Sequence, residues 1–262
     1  MSSARVGHVS LPLRRGESIS SSWMGNFVLV HGAFNGAWVW QRVARLLRAA
    51  GHEVLAPTMT GLGERFESLT PNVTLADHAN DVVQAVVHAD LRDVVLVGHS
   101  YGGAVITMAA DRLADRLRRI VYLDAAAPAP GQSASGAFTE GTADKLSDMS
   151  GSDWRLPPLP LSALGVSDPA DVAWMDARRH DHPLPVLSQP LVSDGSADAI
   201  PRSYIVHTDK AAMISLFGVD PLSTFVERAK REGWRMQAIA AGHDAMITHP
   251  REVADALIAE LA

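Results

Sequence analysis

Residues 94–103, VVLVGHSYGG, constrain this chain more than any other stretch. Four aliphatic residues in succession suit a strand buried on both faces. Gly98-His99-Ser100-Tyr101-Gly102 then reverses the chain sharply, because side chains at the two outer positions would collide across the turn. The apolar pattern resumes at Ala104 as a helix, and Gly103 lets that helix pack closely on the strand. A serine held at such a tip presents its hydroxyl to solvent. The amides that open the helix point at the same place, where a developing oxyanion can be stabilised. Ser100 therefore reads as a nucleophile, against the alternative of an ordinary structural turn.

The rest of the chain alternates in the same way. Short apolar runs predict strands at 27–30, 53–57, 119–123, 204–207 and 234–239. Between them, helical spacing joins Trp40, Val43, Leu46 and Leu47; then Leu75, Ala79, Val82 and Val86; then Leu222, Phe225, Val226 and Ala229; and finally Val253, Leu257 and Leu261. Strand–helix alternation implies an α/β architecture, a parallel sheet with helices on both faces and its site at the carboxyl ends of the strands. At 262 residues one large domain is expected. Its core is assigned to 26–127 and 202–262. The periodicity breaks over 128–201, where Ser, Gly, Asp and Pro are frequent, and this insertion is expected to form a small helical lid. Residues 1–25 lack the apolar core of a secretion signal and are expected to be a disordered extension, the folded part beginning near Met24.

Composition narrows the chemistry. With no cysteine, disulfides, thiolate catalysis and Cys-ligated metals are excluded, which fits a cytoplasmic protein. A net charge of -6 gives no basic footprint for nucleic acid or an anionic membrane, and no run approaches the roughly 18 apolar residues of a membrane span. The expected partner is a small molecule; a homodimer stays open.

A serine hydroxyl needs a base, and His243 lies directly after the final strand, at the edge of the sheet that carries Ser100. A carboxylate must in turn fix the imidazole. Asp124 stands at the tip of the strand after the nucleophile helix, Asp209 follows the next strand, and Asp220 precedes Pro221, where a helix cap would explain it. His180-Asp181-His182 is read as an exposed turn and not as a metal site. No metal or organic cofactor is expected.

These motifs, with residues 27–40, 62–65, 98–103 and 242–246, resemble the α/β-hydrolase superfamily, close to the plant methylesterases and hydroxynitrile lyases and their bacterial esterase relatives. The resemblance implies six parallel strands, a triad in the order Ser, acid, His, and an oxyanion hole made by the amides of Ala33 and Tyr101. It departs over the acid: the position that carries aspartate in the plant enzymes is Lys210 here, while other hydrolases place the acid where this chain has Asp124. Asp124 is preferred, with Asp209 as the alternative. The implied activity is a serine hydrolase acting on a small apolar ester or lactone, with Phe34, Trp154, Trp174 and Met175 as substrate-binding candidates. A cyanohydrin lyase is the first alternative, disfavoured because Gly32 and Asp244 stand where such lyases are similar in using threonine and lysine. A ligand receptor on the same fold, binding without turnover, is the second.

Overall fold

The computed structural model describes residues 24–151 and 153–262, so all of the extension expected at 1–25 except Met24 and Gly25 lies outside the described residues. The chain opens with β1 (Asn26–Val30), α1 (Gln41–Ala49), β2 (Glu53–Leu55), α2 (Leu75–His88) and β3 (Val94–His99). It continues through α3 (Gly102–Ala110) and β4 (Leu117–Leu123). Next come the short elements α4 (Ala134–Ala137), α5 (Thr142–Ser150), β5 (Arg155–Leu156), α6 (Pro169–Asp176), β6 (His182–Pro183) and α7 (Pro185–Ser188). β7 (Arg202–His207), α8 (Ala211–Phe217), α9 (Ser223–Arg231), β8 (Arg235–Ile239), α10 (Ala245–Thr248) and α11 (Pro250–Ile258) complete it.

Six strands form one sheet in the order β2-β1-β3-β4-β7-β8, and every pairing is parallel. The two most apolar strands are interior neighbours, β3 at the centre and β1 beside it. All six residues of β3 are buried, and β1 beside it is buried from Phe27 to Val30, as strands covered on both faces must be. Thr74 opens α2 with a capping box, its hydroxyl accepting the Asp77 N–H while the Asp77 carboxylate accepts the Thr74 N–H.

The insertion between β4 and β7 carries α4 to α7 and an antiparallel ribbon of β5 and β6. His182 lies in that ribbon fully buried, and His180 stacks on Phe66 with ring centroids 4.1 Å apart. The exposed turn expected there is thus corrected: Tyr101 and Phe34 surround His182 and fold the segment inward. Helix α8 was not visible as a separate period, because seven residues give barely two turns. Among the described residues no helix is long and apolar enough to cross a membrane.

Candidate active site

Ser100 follows β3 with a φ of 53°, in the left-handed region that a side chain enters only under constraint. The constraint is visible in the glycines around it. A Cβ on Gly98 would lie 2.6 Å from the Gly102 carbonyl oxygen, one on Gly102 2.5 Å from that of His31, and one on Gly103 2.2 Å from that of Ala126. No larger residue fits without moving backbone. The turn therefore brings Ser100 against the loop after β1, and that loop supplies Ala33 and Phe34 to the same pocket.

His243 follows β8 just before α10, and its Nδ1 lies 2.7 Å from Asp124 Oδ2. Asp124 follows β4, itself at a φ of 44°, and is fully buried. Its Oδ1 accepts from Lys210 Nζ at 2.5 Å and from the His207 backbone N–H at 3.2 Å. Burial alone would push this carboxyl up; His207, the hydrogen bond from His243 and the Lys210 ammonium outweigh it and hold Asp124 well below the usual carboxylate range. An ionised carboxylate only accepts, so His243 Nδ1 carries a proton, and in the neutral ring Nε2 keeps the lone pair that a base requires.

Two more histidines hold the backbone of His243 in place. His99 Nε2 and His207 Nδ1 each lie 3.0 Å from the His243 carbonyl oxygen, and since a carbonyl cannot donate, both nitrogens do. Burial drives both rings toward the neutral form, lowering His207 to about 4 and His99 well below its ordinary value. Sequence reasoning passed over this pair. The available signal was their position at strand ends, one residue before the nucleophile and at the close of β7.

The other candidate acids stand elsewhere. Asp209 is exposed and its Oδ1 accepts the Ala211 N–H at 3.3 Å; Asp220 accepts the Leu222 N–H at 3.1 Å ahead of α9. Asp244 is buried beside His99 and His243, and burial raises its carboxyl to about 6. A ring nitrogen of each histidine and an Asp244 oxygen lie within 4.8 Å of one another, the group among the described residues best able to approach a metal ion. The bonds above take His99 Nε2 and His243 Nδ1, which leaves the other nitrogen of each ring.

Ser100, His243, Ala33 and Tyr101 share the wall of a pocket of about 70 Å³. Its remaining lining is almost wholly apolar and comes from the insertion, as Phe138, Leu146, Leu156, Leu159 and Leu187, and from α8, as Met213 and Phe217. Tyr101 gives its hydroxyl to His78 Nδ1 at 2.8 Å, because His78 Nε2 is taken up in donating to the Thr60 carbonyl. Of the expected pocket residues, Phe34 lines this cavity. Three do not. Trp154 lines a neighbouring cavity, Trp174 packs edge-on to Trp38 with Arg42 and Arg178 over its ring, and Met175 is fully buried in the insertion's own core. The sequence marked Trp174 and Met175 as apolar residues of the insertion without showing what they face.

Comparison with known proteins agrees with this architecture. The sequence profile described as "Alpha/beta hydrolase family" matches residues 27–256. The carbendazim hydrolyzing esterase of Nocardioides sp. (strain SG-4G) is 37% identical over 257 residues, 90% of this chain and 99% of that protein. Methylesterase 8 of Arabidopsis thaliana is 36% identical over 104 residues, 39% of this chain and 38% of its own length. Among solved structures, an extracellular alpha/beta-hydrolase from a Paenibacillus species, described as sharing structural and functional homology with tobacco salicylic acid binding protein 2, superposes with a TM-score of 0.71. It is 27% identical, and the match covers 90% of this chain and 98% of that one.

Proposed function

From the premise that this chain belongs to the alpha/beta hydrolase family, we propose that it is a carboxylic ester hydrolase working through Ser100, His243 and Asp124 on a small, uncharged ester or lactone. Ser100 Oγ attacks the carbonyl carbon as His243 Nε2 takes its proton, and Asp124 stabilises the imidazolium so formed. The amides of Ala33 and Tyr101 receive the oxyanion. Collapse of the tetrahedral intermediate expels the alcohol, protonated by His243, and water activated by the same ring releases the acid. The insertion acts as a lid whose apolar underside keeps bulk water from the acyl-enzyme.

The observation that carries this reading is the 2.7 Å bond from His243 to a buried, cation-paired Asp124, at a pocket whose wall includes Ser100. The esterase named for carbendazim and the plant methylesterase support the ester class. A lyase of the cyanohydrin type is disfavoured. A Cβ on Gly32 would meet Ser100 Cβ at 2.9 Å and His99 Nδ1 at 3.1 Å, so this turn has no room for a threonine.

The test is turnover of a short-chain p-nitrophenyl ester by wild type, Ser100→Ala, Asp124→Asn and Asp209→Asn at matched folding. Ser100→Ala and Asp124→Asn are expected to lose about 10⁴-fold in kcat, and Asp209→Asn to stay within about twofold. Full activity in Asp124→Asn would sink the assignment of the acid. Turnover surviving in Ser100→Ala would sink the mechanism.

A further inference from the structure

The pocket beside Ser100 and a larger chamber share two side chains in their walls. Leu146 on α5 and Leu187 on α7 line the 70 Å³ pocket and also a second cavity of about 350 Å³, whose other walls include Ala143, Trp154, Leu184 and Pro185. Both leucines are almost wholly buried from solvent, yet each borders both cavities. A side chain flanked by voids forfeits the dispersion contacts that lock core residues into one rotamer. Leu146 and Leu187 are the residues common to both walls.

Volume and chemistry point the same way. Sites for small organic ligands occupy roughly 300–1,000 Å³. The cavity beside Ser100 falls well short of that range, and the chamber lies within it. Among the described residues no charged side chain lines the chamber; its surface is leucine, proline, alanine and the Trp154 indole, with the hydroxyls of Ser135, Ser147 and Ser188 among them. The Arg155 guanidinium, 5.7 Å from the Trp154 ring, is paired with Asp153 at 3.0 Å. An indole face in an apolar chamber favours a flat, uncharged, aromatic occupant.

We propose that the Trp154 chamber is a second substrate subsite. The enzyme takes uncharged esters with one short half, which stays beside Ser100, and one flat aromatic half, which passes between Leu146 and Leu187 onto the Trp154 indole. The proposal rests on the hydrolase reading above and adds to it the shape of the substrate.

Ala143→Trp tests it. Ala143 lines the chamber and not the pocket, and it is half-buried on α5, so an indole there fills the chamber without touching Ser100. Wild type and variant are compared on ethyl acetate and 2-naphthyl acetate. The naphthyl ester is expected to lose about tenfold or more in kcat/KM while ethyl acetate stays within about twofold. Equal losses on both esters, or on neither, overturn the subsite. Calorimetry on Ser100→Ala protein asks the same question without turnover: 2-naphthyl acetate should bind about tenfold more weakly once Ala143→Trp is added. Unchanged binding overturns the chamber. A wild type that hydrolyses neither ester overturns the hydrolase reading instead, and calorimetry still decides the subsite.

Discussion

A carboxylate with no exposed surface needs several partners, and Asp124 has three: the imidazole of His243, the backbone N–H of His207 and the ammonium of Lys210. Lys210 alone supplies a fixed positive charge. Lys210→Met therefore leaves a buried anion beside the His243 ring, the His207 amide and the His207 ring 3.9 Å away, and should cost about 3 kcal/mol, the low end of the range for breaking a buried pair because Lys210 still reaches solvent. Lys210→Arg should recover most of it. The urea midpoint at constant slope is the measurement, and an unmoved midpoint in the methionine variant would show the ion pair to be energetically idle. The sequence preferred Asp124 but kept Asp209 as the alternative, since both follow strands at the same sheet edge. What separates them is side-chain direction. The positive φ of Asp124 turns its carboxylate beneath His243, whereas Asp209 bends outward to cap Ala211.

At the scale of elements, the junction of β3 and α3 is the most tightly specified part of the fold. Gly103→Ala would put a methyl 2.2 Å from the Ala126 carbonyl oxygen and 2.8 Å from the Ala125 side chain, with backbone as the first obstacle. The helix must lift from the sheet or the turn must open. An overpacking cost of about 1–3 kcal/mol or more is expected, with reactivity of Ser100 toward a fluorophosphonate falling alongside stability. Normal labelling in a fully stable Gly103→Ala protein would refute this account of the turn. The same locality made the junction readable from sequence, because strand, glycines and helix are consecutive and each constrains the next. The sheet strands were legible for the same reason, and β3 was placed within two residues. The insertion was not. Its elements run from two to nine residues, too short for a period, and they are ordered by distant partners such as Tyr101 and Phe34 around His182. Whether Trp154 faces a cavity, or Met175 a core, is settled by packing against residues far off in the chain.

For the molecule as a whole, buried imidazoles set the response to acid. Burial lowers the pKa of His31, His78, His99, His182 and His207, with His31 and His207 at about 4. In the unfolded chain each takes up a proton near pH 6.5, and in the folded chain only well below that. Their contribution is present above about 6.5 and is lost as pH falls toward the folded values, each group by up to about 1.4 kcal/mol per pH unit. Asp244 works in the opposite sense. Its folded value of about 6 exceeds the ordinary 3.8, so its contribution is full in acid and fades as pH rises through 6. That is one group against five. Asp124, held below the carboxylate range, withdraws its contribution only when pH drops under about 4, outside this window. The balance predicts that stability falls between pH 7 and pH 5.5. Urea midpoints at the two pH values check it, and equal midpoints would rule it out. His182 isolates one contributor, since neither of its ring nitrogens has a hydrogen-bond partner and its ring already packs edge-on to Tyr101 and Phe34 as a phenyl group would. His182→Phe removes the protonation cost without removing the packing. It should raise stability at pH 5.5 by about 1 kcal/mol more than at pH 7, and a gain equal at both pH values would mean that the buried ring does not titrate in this range.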